Sequence, residues 1–302
     1  MEYSLTVIVC SYNRQKILEN CIKSLVKIKD TILPIEIVLI DDGSKKLLSE
    51  SFKNFLIQNK VNLFRNKKNM GLAYSRNKGI KESKSKYVLI CDDDDIYENP
   101  LHLRSLYESV VKEKVDMGLG IPKAQSSFNK KQISTLKNLF LKGITPPVSY
   151  QIYKKEILKN NYDEKIKAGI DMDLWINLLS KNPLVLLMAN CDIRSFKHKE
   201  NNSLTKNYRK RKLNLEKSMY IWENKINQSL GSRFLSRFKK ASNEYELWFI
   251  FLSKISDFKF LESFKIFFKS NLLITIYRCF RYMLWKFLKI KMPINSYFIK
   301  YF

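Results

Sequence analysis

Four consecutive aspartates, Asp92 to Asp95, follow the apolar run YVLIC. Adjacent carboxylates repel one another, so a chain that folds around four of them invites a cation. Hard divalent cations such as Mn²⁺ and Mg²⁺ take oxygen ligands and commonly join a carboxylate to a phosphate. The plainer alternative is a solvated acidic turn, since aspartate favours turns through its own hydrogen bonds to the backbone. Two more polar clusters also follow apolar runs: Ser11-Tyr12-Asn13-Arg14 and Asp41-Asp42-Gly43-Ser44. Tyr12 offers an aromatic face for a base or packs at a strand end. Asp42, or else Asp41, can accept the imino N–H of a uracil or thymine, or close a turn before Gly43. Arg76, in SRNKG, can sit near a nucleotide and its phosphates or stand solvated on a helix.

The elements that must position these groups are legible as apolar periodicity. Leu5–Cys10, Ile35–Ile40, Val61–Phe64 and Tyr87–Cys91 read as strands. Ile17, Leu18, Cys21, Ile22, Leu25 and Val26 recur at helical spacing, as do Leu47, Leu48, Phe52, Phe55 and Leu56, and a third helix is expected around Leu72–Lys84. Strands alternating with helices predict an α/β fold with a mostly parallel sheet covered on both faces. Ligands of such sheets bind at the carboxyl ends of the strands. All three polar clusters fall at those ends, a coincidence that a random acidic turn does not predict. Further along, Val148–Tyr153 and Leu184–Met188 read as strands. Asp171-Met172-Asp173-Leu174-Trp175 opens a helix, with Asp171 or Gly169 as its polar start.

The order of motifs resembles family 2 of the inverting glycosyltransferases, which have the GT-A fold, a Rossmann-like sheet flanked by helices. The resemblance rests on TVIVCSYNR, EIVLIDDGS, NKKNMGLAYSRNKGI, YVLICDDDDIYENP, AGIDMDLWINL and IRSFKHKENNSLT in that order, and covers residues 4–200. It implies a nucleotide-diphosphate sugar donor, expected to be uridine-linked, and a glycan or lipid-linked glycan acceptor. Tyr12, Asn13, Arg14, Asp41, Asp42, Arg76, Asp92 and Asp93 are expected around the donor. Asp92 and Asp94 occupy the acidic positions of the family's DxD motif, which implies that Asp94 binds Mn²⁺ or Mg²⁺ and that Asp92 holds ribose or metal-bound water. His198 matches a histidine that approaches the diphosphate or the metal. Asp171 aligns with the catalytic base, with helix capping as its structural alternative. The family's preceding Glu is replaced by Ile170, which puts the local acceptor geometry in doubt. The implied reaction is a single displacement with inversion, in the synthesis of cell-surface polysaccharide or glycolipid.

Of the 302 residues, 45% are hydrophobic and 28% charged, which is globular rather than disordered. The catalytic domain is expected over residues 1–205, with nucleotide-sugar binding in 1–100 and the acceptor part in 101–205. Residues 206–302 are expected to form a helical, basic and aromatic extension. The formal charge is +26, and residues 197–302 carry 23 Lys/Arg against 7 Asp/Glu, a net +16. Such an excess points to an anionic partner. An anionic membrane surface is expected, with the protein on the inner face of the cell membrane, because basic and aromatic residues interleave as in interfacial segments. The rival is a solvated outer face of a folded subdomain. A nucleic-acid-binding protein is the other class considered, but no such motif occurs and the acidic clusters oppose bare phosphate. A sugar nucleotidyltransferase would open on a Gly-rich loop that VIVCSYNR lacks. Five scattered cysteines fit a reducing compartment, the short N-terminal apolar run reads as a strand, and no run of spanning length is seen.

Overall fold

The computed structural model describes residues 4–29, 34–121, 131–141, 151–158, 162–191, 194–196, 208–232, 234–236 and 238–239. The chain divides into two compact units, Met1–Asn202 and Ser203–Phe302.

The first unit is built on an eight-stranded sheet. Its strands are β1 (Leu5–Ser11), β2 (Ile35–Asp41), β3 (Asn62–Arg65), β4 (Tyr87–Asp92), β6 (Met117–Gly120), β7 (Gln132–Thr135), β8 (Gln151–Lys154) and β9 (Leu184–Met188). Their order across the sheet is β3-β2-β1-β4-β8-β6-β9-β7. Only β8 and β7 run against their neighbours. The expected mostly parallel sheet is therefore present, and β1 and β2 are buried along their whole length. This is why they read as largely apolar runs, interrupted only by Thr6 and Glu36, which pair with each other, before their polar ends. A separate antiparallel pair joins β5 (Asp95–Tyr97) to β10 (Arg194–Phe196).

Helices cover the sheet. Helix α1 (Gln15–Ile28) buries Leu18, Cys21, Ile22, Leu25 and Ile28 as one stripe. Helix α2 (Glu50–Gln58) starts at Ser49, whose hydroxyl accepts from the Phe52 N–H, so Leu47 and Leu48 precede it rather than belong to it. Helix α3 (Leu72–Glu82) lies close on β1, because a Cβ at Gly79 would stand 2.3 Å from Ile8 Cγ2. Helices α4 (Pro100–Lys112), α5 (Leu136–Leu141) and α6 (Ile170–Leu178) complete the unit.

Register decides where the chemistry goes. Ser11 pairs with Asp41, Asp41 with Arg65, and Cys10 with Asp92. The predicted polar clusters thus lie along one carboxyl edge. The chain leaves β1 for β2 on one side, while β4 lies on the other, so the crevice between β1 and β4 is a topological switch point.

The second unit contains α7 (Tyr208–Leu230), whose Ser218, Trp222 and Ile226 form a buried stripe. Gly231, at φ +82°, ends that helix. Helical residues follow, and Lys239 meets Glu223 at 2.7 Å, so the chain doubles back on α7. Phe249, Leu252, Ile255 and Phe258, whose spacing suits a buried helix stripe, lie outside the described residues.

Candidate active site

At the end of β2 the aspartates shape loops. Asp42 is 5% exposed. One of its oxygens accepts from Asn66 Nδ2 at 2.8 Å and from the Met70 N–H at 2.9 Å; the other accepts from the Gly71 N–H at 2.9 Å. Asp41 accepts from the Ser44 N–H and pairs with Arg65. The turn reading of these aspartates therefore describes Asp41, while Asp42 reaches across to a second loop. Gly43 sits at φ +71°, and a Cβ there would stand 2.3 Å from the Lys68 carbonyl carbon. The 41–44 and 66–71 loops interlock at this contact.

Asn13 also adopts a left-handed backbone, at φ 56°, which asparagine tolerates. Its N–H donates to Ser44 Oγ and its side-chain oxygen accepts from the Lys45 N–H. Asn13 thus ties the first loop to the second, and Tyr12 beside it is half-buried.

At the end of β4 the four aspartates alternate. Asp93 and Asp95 are buried at 5% and 0% exposure, while the side chains of Asp92 and Asp94 are 44% and 23% exposed. Asp93 accepts from Ser11 Oγ at 2.6 Å and from Arg14 at 2.7 Å, and Arg14 reaches Asp94 at 2.8 Å. Asp95 turns back toward the Asp92 N–H at 3.4 Å. Only the two positions of a DxD spacing open outward. Asp93 is pushed up to about 6 by burial, against the opposing pull of Ser11 and Arg14. Asp92 also rises to about 6, driven by the protein packed around it and by Asp171, Asp95 and Asp94, with Arg76 opposing.

Asp171 comes from another direction. Gly169, left-handed at φ 71°, starts α6 without a side-chain cap, so Asp171 is not the cap. Its carboxylate is 54% exposed and accepts from Arg76 at 2.6 Å, while the other terminal nitrogen of Arg76 donates to Asp92 at 3.0 Å. Arg76 itself is 2% exposed. Burial alone would lower it, but Asp171, Tyr162 and Asp92 outweigh that and raise it. Asp173, buried, receives the Asp163 N–H and Asn177 Nδ2, a structural role. Trp175 is core, donating to Gln151 at 2.8 Å.

The fold thus gathers Arg14, Arg76, Asp92, Asp93, Asp94 and Asp171 into one connected set. Tyr12, Asn13, Asp41 and Asp42 lie on the neighbouring loops, and His198 lies outside the described residues. Sequence reading missed Ser11, Arg65, Asn66 and Tyr162 as partners. Each pairs with a residue far along the chain, and spacing carries no signal for that.

The profile of Glycosyl transferase family 2 matches residues 6–169, over half of the chain. Glycosyltransferase GlyG of Streptococcus pneumoniae serotype 4 is 33% identical over 121 residues, 40% of this chain and 39% of GlyG. The cholesterol galactosyltransferase of Borreliella burgdorferi is 32% identical over 161 residues, 53% of this chain and 41% of that protein. The chain thus spans well under two thirds of the length of these curated relatives. Among solved structures, S. aureus TarS 1-349 in complex with UDP-GlcNAc superposes with a TM-score of 0.61 at 21% identity, over 82% of this chain and 72% of that one. The likeness shows the fold, GT-A.

Proposed function

The chain belongs to glycosyl transferase family 2, and from that premise we propose that it moves a sugar from a uridine-diphosphate donor to a hydroxyl of a glycan or lipid-linked glycan, with inversion. One observation carries the reading. Asp92, from the end of β4, and Asp171, from the start of α6, present part-exposed carboxylates on a single arginine. A donor carboxylate and a proton acceptor are then held side by side, as a displacement on a bound sugar requires. The uridine assignment draws on the TarS structure, whose bound ligand is UDP-GlcNAc.

In the proposed reaction Asp171 accepts the proton of the acceptor hydroxyl as its oxygen bonds to the anomeric carbon. The bond from that carbon to the diphosphate breaks on the opposite face, and the nucleoside diphosphate leaves with the electron pair. No enzymic nucleophile is needed. The residues fit a divalent cation. Asp92 and Asp94 offer outward oxygen donors of the type hard cations take, and Asp92 is raised to about 6 by burial first and then by three neighbouring carboxylates. A bound Mn²⁺ or Mg²⁺ would offset charge on the departing diphosphate. Arg14 fixes Asp94 beside Asp93 by gripping both.

The test is a panel of nucleotide sugars, with and without Mn²⁺, read by thermal unfolding, since a ligand of the native state raises its stability. Uridine-diphosphate sugars are expected to raise the midpoint, and more so with metal. A panel in which no nucleotide sugar shifts the midpoint sinks the proposal.

The proposed location draws on charge. The net +16 of residues 197–302, 23 Lys/Arg against 7 Asp/Glu interleaved with aromatic residues, supports attachment to the anionic inner face of the cell membrane. No helix among the described residues is long and apolar enough to cross a membrane. Flotation of the full chain with anionic vesicles at low salt, and less with neutral ones, is expected. Failure to float at low salt would remove the membrane from the proposal.

A further inference from the structure

We propose that Arg76 is a positioning residue, which fixes the Asp171 carboxylate against Asp92 so that base and donor carboxylate keep one geometry; this rests on the reading of Asp171 as the base. An arginine in a nucleotide site is first read as a phosphate ligand. Arg76 is built otherwise. It is 2% exposed, so it has little surface to offer a ligand, whereas its two carboxylate partners are 44% and 54% exposed. The cation lies behind and the carboxylates face outward. One terminal nitrogen meets each carboxylate, at 2.6 Å and 3.0 Å. A planar guanidinium therefore sets the spacing of the two groups as a bracket does.

The bracket is itself held. The Arg76 guanidinium lies over the Tyr162 ring, 5.4 Å from its centroid. Tyr162 is 2% exposed, and its hydroxyl has no hydrogen-bond partner among the described residues. A phenol buried without a partner gives up hydrogen bonding, so its ring, not its hydroxyl, is what serves here. Asn77, the next residue on α3, donates to the Tyr162 carbonyl at 2.9 Å. The following residue, Asp163, donates its N–H to Asp173 on α6. Two neighbouring residues of α3 thus grip one segment, and that segment is fastened to the helix that carries Asp171.

The experiment compares Arg76→Lys with Asp171→Asn. Affinity for UDP with Mn²⁺ is measured by calorimetry, and kcat and donor KM are measured on the uridine-diphosphate sugar. A lysine ammonium is a compact charge and cannot span both carboxylates in one plane. Misplacing a reacting group by about 1 Å costs on the order of 10²-fold in rate. Arg76→Lys is expected to lower kcat by about that factor, while UDP–Mn²⁺ affinity and donor KM stay within about threefold. Tyr162→Leu, which removes the ring beneath the guanidinium and leaves both carboxylate contacts in place, is expected to give the same split at about a tenth of the size. It keeps the question answerable should Arg76→Lys fail to fold. Parallel loss of nucleotide affinity and kcat overturns the proposal in favour of direct donor contact. A normal rate in Arg76→Lys beside an inactive Asp171→Asn overturns positioning and leaves the base reading standing. A normal rate in Asp171→Asn overturns the base reading itself.

Discussion

Two strand ends, one strand apart in the sheet, carry the same residue type to opposite use. At the end of β2, Asp42 is buried and met by three uncharged donors, a side-chain amide and two backbone N–H groups. At the end of β4, Asp92 and Asp94 stay part-exposed and are met by arginines. The first arrangement satisfies a buried charge with oriented dipoles, and its product is loop shape. The second balances charge with charge and leaves oxygens facing outward, and its product is a place for ligands. Adjacent aspartates in sequence thus say little about role until burial and partner are known.

The sharpest way to test this contrast is at its charged end. Asp171→Asn keeps the shape and cannot take a proton, so turnover is expected to fall about 10²- to 10⁴-fold, with UDP–Mn²⁺ affinity retained by calorimetry. Asp94→Ala removes an outward oxygen pair. It is expected to weaken UDP–Mn²⁺ binding by at least the ~10–100-fold that loss of a metal's outer partner costs, while UDP alone binds as before. Unchanged affinity with Mn²⁺ would take Asp94 out of the site.

The neutral end should break differently. Gly43→Ala places a methyl within 2.3 Å of the Lys68 backbone. It is expected to cost about 1–3 kcal/mol from overpacking alone, seen as a lower unfolding midpoint. An unchanged midpoint would mean that the loops are not interlocked. The smallest effect is a change of slope. Asp93 is raised from 3.8 to about 6, so its protonated form favours the folded state. That contribution is complete below 3.8 and is lost as pH rises through about 6. Asp93→Asn cannot titrate, so stability measured across this window should lose part of its fall with pH. An identical profile would assign the fall to other groups.

Strands β1, β2, β4 and β9 were legible because each is a largely apolar run, and Leu72–Glu82 because it separates two such runs. Strands β5 (DIY), β6 (MGLG), β7 (QIST) and β10 (RSF) were not, since each is short and holds at most two bulky apolar residues. The start of β8 differs as well: the strand is Gln151–Lys154, and positions 148–150 lie outside the described residues. In the site, residue types at strand ends could be read in advance, but the Asp92-to-Asp95 alternation could not, because Asp93 and Asp94 form a turn between β4 and β5 and Asp93 is held by Ser11 and Arg14 from far along the chain. The pairings of Arg14 with Asp93 and of Arg76 with Asp171 span 79 and 95 residues of chain. Nothing local encodes such a meeting, so the carboxylate partners of Arg14 and Arg76 could not be read in advance.

The Asp42 carboxylate has a consequence in time as well as in shape. The amide protons of Met70 and Gly71 end on the same side chain, and the Asn66 amide shares it. None can be exposed to solvent deuterium singly without leaving the buried carboxylate short of a donor, which is costly. Their exchange is therefore expected to be slow and concerted, a small cooperative opening distinct from global unfolding. Amide exchange would see the 66–71 loop as a single event whose rate is set by one aspartate in a different loop.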